Sequence, residues 1–347
     1  MIRACRNLWR LFVIARTLAR HDALQPLEHL GVAPWLVRPL RHFSRAETSG
    51  LRIGQRLAQA AVALGPGFIK FGQALSTRAD LIGAEAAEDL AMLRDRLPAF
   101  PTAEARAMVA AELGAPVEDL FSSFNDTPVA AASIAQVHFA TTSDGRDVAV
   151  KVLRPGVEAA FRRDLDLLFW IAEWIERTQP KWRRLRPVES VATVAEVVAI
   201  EMDLRLEAAA AAELAENFAG DDGFNVPEID WQRTAQRVLT TERVSGTPID
   251  RRDELIAAGH DPAQVLEKAA RATFNQVFRD GFFHGDPHQG NLFVDSAGNL
   301  WAVDFGIMGR IDAATRRYLA TMLMGFLDAD YLSVAKIHFD AGYVPAG

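Results

Sequence analysis

Three polar side chains near residue 290 have the types and spacing that phosphoryl transfer requires. Asp286 and Asn291 lie five residues apart in the segment His-Gly-Asp-Pro-His-Gln-Gly-Asn, whose glycines and proline favour a tight loop. Asp304 follows in an Asp-Phe-Gly triplet, after two apolar runs that predict a β-hairpin and so bring Asp304 close to Asn291. We predict that Asp286 orients or deprotonates the phosphoryl acceptor, and that Asn291 and Asp304 bind Mg²⁺.

This chemistry also needs a lysine that holds the phosphates of a nucleotide, and a carboxylate that positions the lysine. Lys151 lies in the apolar run Val-Ala-Val-Lys-Val-Leu, which predicts a strand, and a lysine there is costly to desolvate unless an anion meets it. A long helix is predicted over 187–219. On it we assign Glu207 as the partner of Lys151, and place Glu201 and Asp203 nearer the metal and the phosphates. Each acid taken singly would more often be a solvated surface side chain.

A conventional kinase covers the nucleotide phosphates with a glycine-rich loop, and here the corresponding segment is rich in alanine. The residues expected to contact the nucleotide are Ala130, Ala131, Ala132 and Ser133. Small side chains still let backbone N–H groups approach phosphates, whereas β-carbons disfavour positive φ and stiffen the loop. In isolation, the same segment would be interpreted as a small-residue turn packed on a helix.

Composition excludes several classes of protein. The net charge of −7 over 347 residues argues against a general nucleic-acid-binding protein. The single cysteine, Cys5, excludes an internal disulfide. No apolar run in the sequence reaches the length that a membrane-spanning helix needs.

The remaining pattern predicts helices first, then a small mixed lobe, then a mainly helical lobe that carries the 284–306 loop. Strands are predicted at 136–141, 147–153, 226–230 and 237–244. Further helices are predicted at 51–96 with a break at Gly65, at 103–120, 157–178 and 262–280, and from Asp312 onward.

The first part of the chain is basic. Nine arginines fall within residues 3–52, against Asp22, Glu28 and Glu47. A partly helical apolar pattern between residues 8 and 18 lies among these arginines. Two interpretations remain open: a helix that lies on an anionic membrane surface, or a helix that packs on the rest of the protein with solvated arginines.

The segment Lys70-Phe-Gly-Gln73, taken with the alanine-rich loop, carries a specific resemblance. From about residue 10 onward the chain resembles the UbiB/ADCK (ABC1-like) family of atypical protein-kinase-like proteins, in its bacterial UbiB form. The resemblance implies an α+β, atypical protein-kinase-like fold with a small mixed N-lobe, a helical N-terminal extension and a mainly helical, incomplete C-lobe. It implies a basic amphipathic segment at 1–60, the extension at 61–125, the N-lobe at 126–244 and a partial C-lobe at 245–347.

The resemblance also implies roles for individual residues. The extension is expected to cover the place of a protein substrate and to put Lys70 and Gln73 beside the nucleotide. Backbone groups near Glu242 and Val244 are expected to contact adenine, although the strand before them contains threonines where more apolar residues are usual.

The function that the resemblance implies is that of an ATP- and Mg²⁺-binding, kinase-like ATPase required for ubiquinone biosynthesis. It would act on lipid or quinone precursors, or be regulated by them, rather than phosphorylate proteins. The expected location is the cytoplasmic face of the bacterial inner membrane. Candidate partners are ubiquinone precursor lipids, the anionic membrane surface and other ubiquinone biosynthesis proteins. We expect a C-terminally truncated, peripheral member of the family.

Two other functions are considered. A non-catalytic, ATP-gated lipid-binding module would keep the same metal site, so the motifs do not separate it from an ATPase. A ring hydroxylase, as an older naming habit in the family suggests, is disfavoured. The sequence has no Gly-x-Gly-x-x-Gly dinucleotide fingerprint, and its histidines show no iron-binding triad pattern.

Overall fold

The computed structural model describes residues 2–23, 50–76, 79–93, 98–178, 180–285, 287 and 289–344. The chain divides into two compact units. The first comprises Met1–Ser143 and Val150–Met202, and the second comprises Asp144–Ala149 and Asp203–Gly347. Among the described residues, no helix combines the length and the apolar character that crossing a membrane would require. The lobe limits given by the resemblance stay predictions.

Helices dominate the first unit. They are α1 (Ile2–Arg20), α2 (Ile53–Leu64), α3 (Pro66–Ser76), α4 (Ala79–Ile82), α5 (Ala84–Ala91), α6 (Thr102–Leu113), α7 (Val117–Leu120), α8 (Val157–Thr178) and α9 (Pro187–Glu201). Its strands are β1 (Phe121–Phe124), β2 (Ala130–Ala131), β3 (Ala135–Thr142) and the latter part of β4 (Asp147–Leu153). Both β1 and β2 pair with β3 in antiparallel register.

The second unit mixes short strands with helices. Its strands beyond β4 are β5 (Phe224–Asn225), β6 (Val238–Glu242), β7 (Thr247–Pro248), β8 (Phe282–His284), β9 (Leu292–Val294), β10 (Leu300–Ala302) and β11 (Met308–Arg310). Its helices are α10 (Leu204–Asn217), α11 (Arg252–Ala257), α12 (Pro262–Phe274), α13 (Ala313–Leu327) and α14 (Tyr331–Asp340), with a π-helix at Asn275–Asp280 after α12. One sheet has the strand order β5-β10-β9-β7, and β8 pairs with β11.

The helix predicted over 187–219 is wrong as a single element, because the chain forms α9 and α10 with a break at Met202–Asp203. Asp203 has extended backbone angles (φ −126°, ψ 94°), and its side chain accepts a hydrogen bond from the N–H of Arg205. Aspartate is a strong N-cap because its carboxylate satisfies a backbone donor that the first helical turn leaves free. Asp203 therefore starts a helix, and does not share a continuous one with Glu201.

Most other predicted elements are found, with shifted ends. The strands predicted at 136–141 and 147–153 are β3 and β4. The helix predicted at 103–120 ends early at Gly114, whose φ of 71° is the left-handed conformation that terminates helices. The strand predicted at 226–230 is wrong, since β5 lies slightly upstream and only Ile229 forms an isolated bridge.

Helices α2, α3 and α5 share a small apolar core. Its buried members are Ala58, Ala61, Ile69, Leu90 and Leu93. Close packing of α3 on this core depends on Gly72, because a β-carbon there would lie 2.5 Å from a methyl carbon of Leu93. The amide of Gln73 also donates to the carbonyl of Leu93 at 2.9 Å. These contacts fix the helix that carries Lys70.

Helix α1 packs on α8 through ion pairs. Arg3 and Arg6 pair with Asp166 at 2.9 and 2.5 Å, and Arg10 pairs with Asp164 at 2.7 Å. For these three arginines the structure agrees with packing on the protein, but their charges are paired with acids of the same unit, so the expectation of solvated arginines is wrong for them.

The Arg10–Asp164 pair is the more buried of these contacts, with side chains 18% and 10% exposed. Burial raises the pKa of Asp164, and the charge of Arg10 opposes that rise. Arg10 also donates to the carbonyl of Leu64, and its guanidinium lies 5.7 Å from the ring centroid of Phe68. One arginine thus ties α1 to α8 and to the start of α3.

Replacing Arg10 with methionine is expected to lower the free energy of unfolding by about 3 kcal/mol near neutral pH, because Asp164 would be buried without its cation. The folded-state pKa of Asp164 would rise further above its unfolded value. The variant then loses stability as the pH rises from the unfolded-state pKa of Asp164 to its folded-state pKa. The difference in unfolding free energy between wild type and variant should therefore be small in acid and largest near neutrality. Urea unfolding at several pH values measures this difference.

The matched control is Arg6→Met, which removes the ion pair of an arginine that is 60% exposed. This change should cost less than about 1 kcal/mol. Equal losses for the two variants, or a deficit that does not vary with pH, would contradict a stabilising role for the buried pair.

Candidate functional site

Lys70 and Glu201 form an ion pair in the first unit. The Lys70 ammonium lies 2.7 Å from Oε1 of Glu201, and the Glu201 side chain is only 4% exposed. Neither carboxylate oxygen accepts a hydrogen bond of good geometry from the described residues, so the contact with Lys70 is one of charge. A buried carboxylate is costly unless a cation compensates it, so Lys70 makes the burial of Glu201 tolerable.

The alanine-rich segment forms a tight hairpin. Ala130 and Ala131 pair with β3, and the N–H of Ala132 donates to the carbonyl of Ala135 at 2.8 Å. Ser133, at the turn, is buried. None of the alanines in this hairpin has a positive φ, which agrees with the expectation that β-carbons restrict the loop.

Lys151 lies on β4 between two fully buried valines, Val150 and Val152. The strand alternates in burial, and Lys151 is half-buried on the less covered face. This is the strand position that the sequence predicted. The predicted pairing of Lys151 with Glu207 stays a prediction, since the two residues belong to different units.

In the second unit, the predicted hairpin between Asn291 and Asp304 is confirmed. Strands β9 and β10 pair in antiparallel register, and the N–H of Val303 donates to the carbonyl of Asn291 at 2.9 Å. The turn is held by Asp295, whose carboxylate accepts from Asn299 N–H at 2.8 Å and from Trp301 Nε1 at 3.0 Å. Asn291 is therefore adjacent to the residue that precedes Asp304.

Two carboxylates lie near Gly306. A β-carbon added there would lie 3.6 Å from Oδ1 of Asp304 and 3.8 Å from Oε2 of Glu207. Asp304 has a φ of 64°, a left-handed conformation that is rare outside glycine. Glu207 is buried in the first turn of α10. Carboxylate oxygens are the donors that Mg²⁺ prefers.

His284 has a structural role that sequence reasoning missed. Its N–H donates to Oε1 of Gln276 in the π-helix at 2.9 Å, and its backbone pairs with Met308. Its ring lies 5.8 Å from the ring of the buried Phe305 and faces the carbonyl of Val303. His284 thus links the strand β8 to the segment that holds Asp304. The only sequence feature that pointed to this role is the position of His284 at the start of the loop motif.

The threonines before the predicted adenine-contacting residues are explained by packing. Thr240 is fully buried, and its hydroxyl donates to the carbonyl of Arg233 at 2.6 Å. The N–H of Glu242 donates to the carbonyl of Glu228 at 2.8 Å, and Val244 lies just beyond the end of β6. The adenine contacts stay a prediction.

The Asp203 carboxylate pairs with Arg205, two residues later in the first turn of α10. The guanidinium of Arg205 lies 2.6 Å from its carboxylate, and this hydrogen bonding holds the pKa of Asp203 below its usual range. Its predicted role near the metal stays a prediction alongside this structural one.

The predicted site residues divide between the units. Lys70, Gln73, Ala130, Ala131, Ala132, Ser133, Lys151 and Glu201 belong to the first, and Asp203, Glu207, Glu242, Val244, Asn291 and Asp304 to the second. Asp286 lies outside the described residues. Within the described ranges, no three acidic, histidine or cysteine side chains group closely enough to bind a metal by themselves.

Comparison with known proteins decides the family. The ABC1 atypical kinase-like domain matches residues 92–338, more than half of the chain. The chain belongs to the ABC1 atypical kinase-like family. The predicted family and the predicted kinase-like fold are therefore confirmed.

Relatives of this ABC1-family chain carry the name UbiB. A probable protein kinase UbiB of Marinobacter nauticus is 42% identical over 98% of this chain, and one of Pseudomonas putida is 41% identical over 97%. The chain spans 63% and 64% of the lengths of these two relatives. A solved structure of Rv3197 from Mycobacterium tuberculosis, in complex with erythromycin, has a TM-score of 0.58 and 26% identity. That match covers 92% of this chain and 75% of Rv3197.

Two glycines of this ABC1-family chain should respond differently to alanine. A β-carbon at Gly306 makes only ordinary contacts, so Gly306→Ala should change the free energy of unfolding by less than about 0.5 kcal/mol. A β-carbon at Gly309 would overlap the ring of Phe283 on the paired strand, so Gly309→Ala should cost about 2 kcal/mol. Chemical denaturation measures both, and the reverse order would contradict the packing of β8 against β11.

Proposed function

We propose that this chain is a Mg-ATP-binding, atypical kinase-like ATPase. The observation that carries the proposal is that the Asp304 and Glu207 carboxylates both lie near Gly306, beside a hairpin that anchors Asn291. Such an acidic position in a member of this kinase-like family suits a divalent cation that bears nucleotide phosphates.

Each residue has a proposed role. Asn291 and Asp304 would hold Mg²⁺, which would neutralise charge on the phosphates. Lys151 would bind the phosphates, and Glu207 would position that lysine. Asp286 would orient the attacking group and accept its proton. Glu201 and Asp203 would act nearer the metal and the phosphates, where Glu201 already has Lys70 as its counter-ion.

Several features support a function other than protein phosphorylation. Lys70 and Gln73 lie on a helix packed tightly by Gly72, and the alanine hairpin uses no left-handed residue. A stiff loop and a fixed extension favour hydrolysis, or a small or lipid acceptor, over a bulky peptide. The names of the UbiB relatives support a role in ubiquinone biosynthesis. Quinone precursor lipids are proposed as the substrate or regulator.

Helix α1 supports contact with a membrane surface. Leu8, Trp9 and Phe12 are 56%, 66% and 42% exposed, and Trp9 packs on Phe12 with ring centroids 5.6 Å apart. Their spacing puts them on one side of the helix, along with the exposed Arg16. Aromatic and aliphatic side chains flanked by arginine suit the interface of an anionic membrane.

Asp304→Asn is expected to abolish Mg-ATP binding and leave the fold intact, because asparagine also tolerates the left-handed conformation but lacks the charge that binds Mg²⁺. Calorimetric titration with Mg-ATP and thermal unfolding measure the two effects. Asp328→Asn changes an exposed acid of the same unit and serves as the control. Wild-type nucleotide affinity in the Asp304 variant would contradict the site assignment.

In cells, the test of the ubiquinone role is complementation of a quinone-deficient strain. Variants at Lys70, Asp286 and Asp304 should each fail to restore quinone when they accumulate to the wild-type level. Full restoration by all three would contradict the mechanism.

The exposed side chains of Leu8, Trp9 and Phe12 on α1 also favour the second candidate. This candidate is an ATP-gated module that binds and extracts lipid without catalysis. Turnover of ATP separates the two candidates, measured with and without anionic vesicles and a phenol analogue. Hydrolysis under any of these conditions supports the ATPase. Binding of Mg-ATP with no hydrolysis under all of them supports the module.

A double variant, Leu8→Ser with Phe12→Ser, is expected to weaken binding to vesicles of equal parts phosphatidylglycerol and phosphatidylcholine by about tenfold, since both side chains lose apolar area at the interface. Sedimentation with the vesicles measures binding. Leu266→Ser with Phe274→Ser, on the exposed side of α12, is the matched control. An equal loss of vesicle binding in both double variants would show that α1 is not the contact surface.

A further inference from the structure

Arg154 follows Lys151 by three residues and has no part in the chemistry proposed above. Its side chain is half-buried, and burial lowers the pKa of its guanidinium. The polar partners that the structure gives it are main-chain carbonyls, and no carboxylate lies within ion-pair distance in the described part of the chain. A half-buried cation without an acidic partner needs another explanation.

The guanidinium of Arg154 joins two separate segments of the first unit. Its Nε donates to the carbonyl of Ala132 at 3.1 Å, inside the alanine hairpin. Its Nη2 donates to the carbonyl of Pro98 at 2.7 Å, in the segment 98–100 that precedes α6. The main-chain N–H of Arg154 also donates to the carbonyl of Ile134 at 2.7 Å. Neither segment can shift without breaking a bond to the same side chain.

A buried chain of hydrogen bonds also holds the segment 98–100. The N–H of Phe100 donates to Oε1 of Gln136 at 3.0 Å, and the Gln136 amide lies 2.8 Å from Nε2 of His138. Nδ1 of His138 donates to the carbonyl of Asn125 at 2.8 Å. This pattern requires a neutral imidazole, and burial lowers the pKa of His138 in agreement.

The side chain of Phe100 completes the arrangement, since the Arg154 guanidinium lies 5.5 Å from its ring centroid. Hydrogen bonds from a charged donor are stronger than those between neutral groups, and a guanidinium presents its donors from separate nitrogens in a rigid plane, whereas an ammonium presents them from one atom. The two carbonyl contacts, made by Nε and Nη2, therefore favour arginine.

We propose that Arg154 is a positioning residue that couples the segment 98–100 to the alanine-rich loop, so that nucleotide binding at the loop orders that segment. The inference rests on the proposed function, because the loop must meet the nucleotide. By linkage, the order of the segment then affects nucleotide affinity to the same degree.

The test uses the full chain and two variants, Arg154→Met and Arg154→Lys. Affinity for Mg-ATP is measured by calorimetry, and amide hydrogen exchange is followed in peptides covering 98–106 and 129–136. In the wild type, Mg-ATP should slow exchange in both peptides. Arg154→Met should weaken affinity about tenfold and reduce the slowing at 98–106 more than at 129–136, because both carbonyl bonds are lost while Gln136 still holds Phe100. Arg154→Lys should lie between, since it keeps the charge but not the two separate donor nitrogens.

Arg183→Met is the matched control, because Arg183 donates its Nε to the carbonyl of Glu176 at 2.6 Å elsewhere in the unit. It should change neither affinity nor exchange in the two peptides. If Arg154→Met does not fold, Arg154→Lys carries the test.

Two outcomes would overturn the inference while the proposed function stands. One is wild-type affinity and protection of both peptides in the Arg154 variants. The other is a lowered melting temperature with affinity and dual protection retained, which would make Arg154 a stabilising residue only. Failure of the wild type to bind Mg-ATP would overturn the proposed function itself, and the inference with it.

Discussion

The main-chain hydrogen bond from Val303 to Asn291 is the interaction on which the polar residues of the second unit depend. It joins the open ends of β9 and β10, so that Asn291 and Asp304, thirteen residues apart in sequence, lie near the same end of this strand pair. Beyond that end, the buried ring of Phe305 packs near His284. The position of Asp304 is thus set by backbone pairing and apolar packing.

The first unit depends more on compensated charge. Glu201 is buried against Lys70, and Asp164 against Arg10, so each acid has a specific cation brought from a distant part of the chain. Arg154 shows the converse arrangement, a half-buried cation whose partners are carbonyls. Buried ion pairs add little net stability over apolar packing, but removing one partner of such a pair destabilises the fold strongly. Such pairs therefore specify how helices and loops are arranged more than they stabilise the unit.

Local features were predictable from the sequence. The hairpin before Asp304, the strand that carries Lys151 and the family all followed from short motifs with turn residues at defined positions. The break before α10 was missed because helix-forming residues on both sides outweighed one capping aspartate in the pattern. Contacts such as that of Arg10 with Asp164 join residues 154 apart and leave no local signal. The role of His284 likewise depends on a π-helix that no periodicity indicated.

The left-handed backbone of Asp304 restricts which acid the position can carry. Aspartate and asparagine enter this conformation readily because a short polar side chain can bond locally, whereas glutamate gains no such help. A change to glutamate would keep the charge, but the left-handed backbone would cost more free energy. It would also move the carboxylate outward by one methylene. Aspartate is then the one acid that satisfies both the backbone and the charge, so natural variation at this position should be narrower than charge alone would allow.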